Sequence, residues 1–491
     1  MTFEIVFVLL SLLGMMAALI ADKMRPGMVL FSVVVLFLCA GILTPKEMLE
    51  GFSNKGMITV ALLFLVSEGI RQSGTLGQVI KKLLPQGKTT VFKAQLRILP
   101  SVAFISAFLN NTPVVVIFAP IIKHWAKSVK LPATKFLIPL SYVTILGGIC
   151  TLIGTSTNLV VHGMILEAGY EGFTMFELGK VGIFIAIAGI IYLFIFSKRL
   201  LPDARPDTAV PDEEVEEGEK LHRVEAVLGA RFPGINKKLS DFNFQRHYGA
   251  EVKEIKTRNG QRYVDHLEDV VLREGDTLVV MADDTFIPTW GESSVFVLLT
   301  NGNDPDTSGK KKRWLALILL VLMIVGATVG ELPATKEMFP DIKLDMFFFV
   351  CITTIIMAWT NIFPARKYTK YISWDILITI ACAFAISKAM VNSGVADCVA
   401  GFIIGLSDDY GPHVLLAILF VITNLFTELI TNNAAAALAF PLALSISAQL
   451  GVSPTPFFVV ICMAASASFS TPIGYQTNLI VQGIGNYKFT D

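Results

Sequence analysis

Nine long apolar runs constrain this chain more than any other feature of its sequence. A helix needs about 17 to 25 predominantly apolar residues to cross the hydrocarbon core of a bilayer. Runs of that kind lie at roughly 3–21, 27–43, 57–80, 136–165, 179–197, 314–331, 343–361, 374–399 and 455–483. Hydrophobic residues make up 53% of the 491 positions, which is more than one or two soluble cores could bury. The sequence therefore predicts an all-α polytopic protein of the lipid bilayer.

Two further apolar stretches carry polar clusters at their centres. Residues 97–122 contain the triplet NNT at 110–112, and residues 413–445 contain TNN at 431–433. An amide at this depth is costly unless it is paired or faces a cavity, and broken backbone is tolerated there only beside protein or a water-filled site. Both stretches are interpreted as re-entrant hairpins with the polar cluster at the tip. The alternative is a full span whose amide bonds to a neighbouring helix.

The two clusters belong to a repeat that covers both ends of the chain. At an offset of 320, Ser67, Ser73, Gly74, Gly154, Thr157 and Asn158 fall on Ser387, Ser393, Gly394, Gly474, Thr477 and Asn478. At an offset of 321, Asn111 and Pro120 fall on Asn432 and Pro441. Each half then contains five spans and one hairpin, and its fourth span is a helix broken before an asparagine. The fifth span of the first half (179–197) has no counterpart in the second half before Asp491, so we expect the natural chain to continue into one.

An odd number of crossings in each half predicts an inverted repeat, and the basic residues indicate its orientation. If the segment between the halves is cytoplasmic, most Lys and Arg of the loops lie inside. The outside loops then contain little more than Lys46, Lys55 and Lys336. The sequence predicts a multi-pass protein of the inner or plasma membrane with its N-terminus outside.

A charged segment separates the two halves, because residues 201–312 contain 22 of the 40 acidic residues. Its middle part alternates short apolar strands with Gly, Pro and Asp, which is typical of a small α+β domain. The expected division is membrane repeat 1 (1–200), an acidic linker (201–220), a cytosolic domain (221–300), a basic linker (301–313) and membrane repeat 2 (314–491).

Inverted repeats with broken helices are typical of secondary transporters, which bind substrate and coupling ion near the bilayer midplane. No Lys or Arg occurs between Lys388 and Lys488, and residues 98–122 and 136–161 contain no charged side chain. An anion bound there would have to be held by helix N-termini, backbone N–H groups, amides and hydroxyls. Unwound carbonyls together with Ser, Thr and Asn oxygens would suit a co-bound sodium ion.

The chain resembles the divalent anion/sodium symporter (DASS) family of the ion transporter superfamily in four motifs. These are the paired hairpin tips, GGICTLIGTSTN (147–158), TELITNN (427–433) and TPIGYQTN (471–478). The resemblance covers both membrane halves. It implies sodium-coupled symport of a dianion by elevator-type alternating access in a homodimer. It implies sodium ions as transported cofactors, no organic cofactor, no nucleic-acid partner and no enzymatic activity.

Carried over residue by residue, the resemblance implies three sets of site residues. The substrate set is Asn111, Thr112, Thr155, Ser156, Asn432, Asn433, Tyr475 and Gln476. The two sodium sets are Ser106, Asn110, Asn111 and Gly154 in the first half, and Thr427, Thr431, Asn432 and Gly474 in the second. Supporting residues are Asn158, Asn478 and Glu428. The chain departs from the family pattern because Asn110 and Thr431 replace serines, Asn433 replaces a threonine, and prolines that are common after the Gly-Thr step are absent.

The inserted segment resembles a single TrkA-C (RCK-C) domain, particularly at the Gly275-Asp276 step before an apolar strand. We expect a regulatory or dimer-bracing role with an unidentified small ligand, and the alternative is a structural plug or trafficking handle. Family members with such a domain resemble sulfate carriers. Sulfate is therefore favoured over a C4-dicarboxylate as the substrate.

Glu428 keeps another class of transporter open. A proton-coupled anion or metalloid carrier would need a titrating carboxylate, for which Glu428 and Glu68 are the candidates. The favoured role of Glu428 is that of an acceptor for backbone or helix donors. A ligand-gated channel would account for the inserted domain. An enzyme is not expected, because no nucleophile–base pair or metal set accompanies the polar clusters.

Overall fold

The computed structural model describes residues 3–21, 23–85, 87–203, 222–229, 231–257, 261–283, 286–290, 295–300, 310–405, 411–471 and 474–488. Most of the predicted acidic linker, most of the basic linker and the last three residues lie outside this part of the chain. Within the predicted basic linker, Lys310 begins a helix that continues into the apolar run. Lys and Arg are good helix formers, so the helix extends beyond its apolar part.

The first membrane half is helical throughout, with short connections. Its helices are α1 (Phe3–Ala21), α2 (Pro26–Cys39), α3 (Pro45–Glu50), α4 (Lys55–Gln72), α5 (Thr75–Leu83), α6 (Val91–Ser106), α7 (Asn111–Ser128), α8 (Thr134–Gly148), α9 (Ser156–Glu167) and α10 (Gly179–Leu200). The first polar cluster joins α6 to α7, and we call α6, residues 107–110 and α7 hairpin 1. The break between α8 and α9 falls where the sequence predicts it.

The inserted domain is a small α+β unit. Its elements are β1 (His222–Leu228), α11 (Phe244–Tyr248), β2 (Glu251–Lys256), β3 (Arg262–Tyr263), β4 (Thr277–Ala282), α12 (Phe286–Trp290) and β5 (Phe296–Thr300). The strands form one antiparallel sheet in the order β3-β2-β4-β1-β5. Alternate residues of β1 and β4 pack against an aromatic cluster that includes Phe232, Phe242, Phe244, Tyr248 and Phe296.

Most helices of the second membrane half follow the order of α2 to α9. Its helices are α13 (Lys310–Gly330), α14 (Pro333–Met338), α15 (Met346–Trp359), α16 (Tyr368–Tyr371), α17 (Trp374–Asn392), α18 (Val395–Gly405), α19 (Pro412–Leu429), α20 (Asn432–Leu450), α21 (Thr455–Ser466) and α22 (Gln476–Gly485). We call α19, residues 430–431 and α20 hairpin 2. Pro120 lies inside α7 and Pro441 inside α20, so the matched prolines occupy matched helices.

Two predicted spans are interrupted by glycines that lie inside continuous apolar runs of the sequence. The run 57–80 breaks between α4 and α5 at Gly74, and the run 374–399 breaks between α17 and α18 at Gly394. Both glycines have positive φ, +71° and +76°, a conformation that side chains with a Cβ rarely adopt. The backbone therefore ends each helix at this step.

The exposed surfaces of the helices confirm a multi-pass membrane protein. In the described residues, seven helical segments are long and apolar enough to cross a membrane. Large apolar side chains point outward from them, such as Phe184 with 73% and Ile195 with 60% of its surface exposed. A surface of this kind needs lipid or protein to cover it. One continuous core of buried apolar residues joins both halves.

Candidate functional site

The tip of hairpin 1 brings three oxygen atoms together. Ser106 ends α6 and Asn111 begins α7, and both side chains are completely buried. Ser106 Oγ lies 2.8 Å from Asn111 Oδ1 and 2.8 Å from the Thr144 carbonyl oxygen. A hydroxyl has one hydrogen to donate, so it cannot bond fully to both acceptors. Oxygens in such an arrangement can be satisfied by a cation.

The tip of hairpin 2 repeats this arrangement at an offset of 321. Thr427 Oγ1 lies 2.8 Å from Asn432 Oδ1 and 2.6 Å from the Ala465 carbonyl oxygen. Thr427 is completely buried, like its counterpart in hairpin 1. Neither carbonyl partner was in the predicted sodium sets, because the sequence does not show which backbone oxygen a hydroxyl will meet.

The breaks in the two discontinuous helices are stabilised by equivalent hydrogen bonds. The Gly154 N–H donates to Thr151 Oγ1 at 3.2 Å, and the Gly474 N–H donates to Thr471 Oγ1 at 3.1 Å. Thr151 Oγ1 also bonds to the Ala107 carbonyl of hairpin 1.

The predicted supporting asparagines donate hydrogen bonds to backbone carbonyls of the two breaks. Asn158 Nδ2 donates to the Thr151 carbonyl at 2.8 Å, and Asn478 Nδ2 donates to the Ser468 carbonyl at 2.9 Å. Asn158 and Asn478 thus stabilise the unwound segments. The threonines of these segments were missed, although Thr151 and Thr471 are themselves a pair at offset 320.

Glycine is required where the first break approaches the hairpin tip. A Cβ on Gly148 would lie 2.5 Å from Asn111 Oδ1, and a Cβ on Gly154 would overlap the Gly148 carbonyl. In the second half, Ser468 takes the position of Gly148. The space beside Gly474 faces the Ser468 hydroxyl, the Thr427 carbonyl and a carboxylate oxygen of Glu428.

Glu428 accepts four hydrogen bonds from the second break. Its Oε1 accepts from the Phe469 and Ser470 N–H groups at 3.0 and 2.9 Å. Its Oε2 accepts from the Thr471 N–H at 3.0 Å and from Thr471 Oγ1 at 2.9 Å. This is the acceptor role that the sequence favoured for this carboxylate. At offset 321 the first half has Ala107, so the carboxylate distinguishes the two halves.

Side chains from opposite halves meet between the hairpin tips. Asn111 Nδ2 donates to Tyr475 Oη at 2.7 Å, and Thr155 Oγ1 lies 3.4 Å from the same oxygen. Ser156 Oγ donates to Asn433 Oδ1 at 3.2 Å. The predicted substrate residues are thus drawn together from both halves.

Two further contacts extend this junction between the halves. Thr112 Oγ1 donates to Gln476 Oε1 at 3.4 Å. Ser141 Oγ donates to Asn478 Oδ1 at 2.7 Å, although Ser141 is not among the predicted site residues. Asn110 and Thr431 are the N-cap residues of α7 and α20, and the Thr431 side chain caps its helix through the Ala434 N–H at 3.4 Å.

Four helix N-termini converge at this place. The helices α7, α9, α20 and α22 begin at Asn111, Ser156, Asn432 and Gln476, which are all predicted substrate residues. Helix N-termini have unpaired N–H groups and a partial positive charge, so they attract anions. Across the described residues, no group of three or more His, Cys, Asp and Glu side chains could hold a metal ion. The arrangement suits a small anion surrounded by neutral donors, with oxygen clusters on either side.

Comparisons with known proteins show which family this chain is similar to. The chain matches the family model described as citrate transporter over residues 16–445 and again over 338–491. It is 29% identical to an uncharacterized transporter of Synechocystis sp., over 94% of this chain and 89% of that protein. It is 28% identical to a putative sulfur deprivation response regulator of Chlamydomonas reinhardtii, over 94% and 93%. It is 22% identical to a probable sodium/sulfate cotransporter 3 of the same alga, over 95% and 84%.

Proposed function

This chain belongs to the citrate transporter family, and from that membership we propose that it is a secondary active transporter that carries a divalent anion, most favourably sulfate, together with sodium ions. The observation that carries the proposal is the meeting of four helix N-termini at Asn111, Ser156, Asn432 and Gln476. Sulfate is compact and tetrahedral, so donors arriving from four directions can bond to its oxygens without an arginine. The name of the algal cotransporter supports the same substrate.

Sodium is proposed as the coupling ion because of the oxygen clusters at the hairpin tips. Ser106 with Asn111, and Thr427 with Asn432, offer neutral oxygens within hydrogen-bonding distance of one another. Two cations would balance the two negative charges of the anion, so each ligand would favour the binding of the other. In the second cluster, Glu428 and Ser468 add a carboxylate and a hydroxyl beside Gly474.

The proposed transport cycle uses the two repeated halves of the membrane part. The two halves would be inverted relative to each other, and the hairpins with the broken helices would move as one unit against a scaffold of the remaining helices in a homodimer. The N-terminus would lie outside the cell membrane. The inserted domain would be a cytoplasmic TrkA-C-type module between membrane repeats 1 and 2.

The proposal is tested by uptake of radiolabelled sulfate into proteoliposomes with and without an inward sodium gradient. We expect sodium-dependent uptake that excess succinate inhibits only weakly. Strong competition by succinate would instead establish a C4-dicarboxylate carrier. Uptake that follows a proton gradient and ignores sodium would overturn sodium coupling and favour a proton-coupled carrier that uses Glu428.

Matched alanine variants test the site itself. Ser106→Ala removes the hydroxyl shared by Asn111 and Thr144, whereas Ser101→Ala on the same helix removes only a bond to the Arg97 carbonyl. We expect S106A to raise the sodium concentration that gives half-maximal uptake, and S101A to leave it unchanged. Equal effects of the two variants would contradict the proposed cation site.

A further inference from the structure

The sheet of the inserted domain has both faces buried. In β1, Ala226 and Leu228 point into the aromatic core of the domain, whereas Val227 belongs to the core of the membrane helices and is 1% exposed. Side chains of neighbouring residues in a strand point to opposite faces. The second face therefore lies against the membrane part of the chain.

The elements under this face are α7 and α22. The carboxylate of Glu225 on β1 lies 3.0 Å from Lys123 Nζ of α7 and 3.6 Å from Lys256 Nζ of β2. The side chains of Glu225 and Lys256 are 14% and 5% exposed. An ion pair enclosed in this way fixes the register of two elements, because either charge alone would be costly.

Contact with α22 depends on a glycine. A Cβ on Gly483 would lie 2.5 Å from Thr277 Oγ1 of β4 and 3.8 Å from the Gly275 carbonyl. Thr277 is completely buried, and Leu479 of the same helix lies beside Gly275. Only a residue without a side chain allows the strand to approach α22 this closely.

The same two helices begin at the candidate site. At 1.5 Å per residue, Lys123 is about 18 Å along α7 from Asn111, and Gly483 is about 10 Å along α22 from Gln476. Asn111, the first residue of α7, contacts Tyr475, the N-cap residue of α22, at 2.7 Å. The inserted sheet thus spans the far ends of two rigid elements whose near ends form the site.

We propose that the inserted domain is a positioning element of the substrate-carrying unit: docked on α7 and α22 through Glu225 and Thr277, it sets the distance between Asn111 and Tyr475 and travels with both helices. The statement about travel rests on the proposed transport function. The statement about docking and positioning does not, so the two can fail separately.

The test uses Gly483→Ala, Thr277→Ala and the double variant of the full chain. G483A introduces a methyl group against Thr277 Oγ1, and T277A removes that oxygen while leaving its Cβ 3.8 Å away. Gly401→Ala is the matched control, because its Cβ would meet only Gln449 at 3.8 Å.

Docking is measured by maleimide labelling of Val227→Cys in purified protein, with the modified peptide identified by mass spectrometry. Positioning is measured by hydrogen exchange at residues 111–115 and 476–480. We expect G483A to raise both rates roughly tenfold, the double variant to restore them, and G401A to change neither. Initial rates of anion uptake should fall in G483A, recover in the double variant and stay unchanged in G401A.

Three results would overturn the proposal. Unchanged labelling in G483A would show that the sheet does not depend on this contact. Faster hydrogen exchange in G483A that persists in the double variant would place the effect in α22 alone. Faster labelling without a change at residues 111–115 and 476–480 would show that the domain docks but does not position the site. Absence of sulfate uptake by the parent protein would instead refute the proposed substrate and leave the labelling and exchange results to decide the inference.

Discussion

Replacing Glu428 by glutamine gives a prediction that separates a structural carboxylate from a proton carrier. The carboxylate accepts three backbone N–H groups and the Thr471 hydroxyl in the second helix break. Glutamine keeps one oxygen and replaces the other by an NH₂ group, which is a donor. If the NH₂ group is turned toward Phe469 and Ser470, two N–H groups face a donor. If it is turned toward Thr471, the hydroxyl can accept from it and only the Thr471 N–H loses its acceptor, so at least one of the four bonds is lost.

The magnitude follows from these lost bonds. An unsatisfied buried polar group costs about 1–3 kcal/mol, and hydrogen bonds to charged groups lie toward the upper end. Glu428 is half-buried, so water can replace part of the loss. We therefore expect E428Q to lower the free energy of unfolding by about 1–3 kcal/mol.

The assay is thermal unfolding of purified protein with increasing sodium, together with sulfate uptake at several pH values. E428Q should lower the unfolding temperature, and added sodium should restore less of it than in the parent. Glu177→Gln is the control, because that carboxylate accepts one exposed bond from the Thr174 N–H at 3.2 Å. Unchanged stability combined with loss of pH-dependent uptake would refute the structural role and identify a proton carrier.

The other predictions concern the hairpin tips and the docked sheet. Asn111→Asp keeps the oxygen beside Ser106 but loses the N–H that donates to Tyr475. In equilibrium binding, the anion concentration that gives half-saturation should therefore rise at least tenfold, while sodium still binds. Tyr475→Phe should weaken anion binding less than N111D in the same assay, because the amide keeps its donor. Gly154→Ala should cost about 1–3 kcal/mol of stability by crowding the Gly148 carbonyl, seen as a lower unfolding temperature, whereas Gly14→Ala, with open space around it, should not. Burial would raise the pKa of Glu225, but Lys123 and Lys256 hold this pKa below its ordinary value of 4.5. The charged carboxylate therefore stabilises docking above pH 4.5, and docking weakens as the pH falls below 4.5. Labelling of V227C should therefore be flat from neutral pH down to about 5, after correction for maleimide chemistry, and rise at lower pH.

Much of the site could be predicted because its residues break a pattern. An amide such as Asn111 or Asn432 stands out in an apolar stretch, and a repeat at fixed offset marks Gly154 and Gly474 as equivalent. The structure places these residues at matched positions with matched hydrogen bonds. Backbone partners such as the Thr144 and Ala465 carbonyls could not be predicted, since every residue has a carbonyl and only tertiary packing selects one.

The docking of the inserted domain was hidden for a different reason. The strand HRVEAVL alternates polar and apolar residues, and such alternation normally indicates one face in water. Here Glu225 on the polar face is only 14% exposed, because Lys123 from a distant helix supplies the charge that the carboxylate needs. A partner so far away in sequence leaves no local signal. Gly74 and Gly394 are matched in the repeat, but the sequence did not predict the interruptions, because the positive φ values appear only in the folded backbone.

In the proposed symport, the orientation of Asn111 would allow one side chain to couple a cation to an anion. Its Oδ1 faces the Ser106 hydroxyl and the cluster of oxygens, and its Nδ2 faces Tyr475 between the two halves. A cation bound at the oxygen end would polarise the amide and strengthen donation from the nitrogen end, because hydrogen-bonded groups in series reinforce one another. An anion at the nitrogen end would in turn make the oxygen a better cation ligand. Reciprocity of this kind is what linkage requires of two sites that share a free energy of coupling. Because the amide is completely buried, its rotation is restricted and the polarisation is retained. This coupling gives a physical reason for an asparagine at the tip of an apolar hairpin.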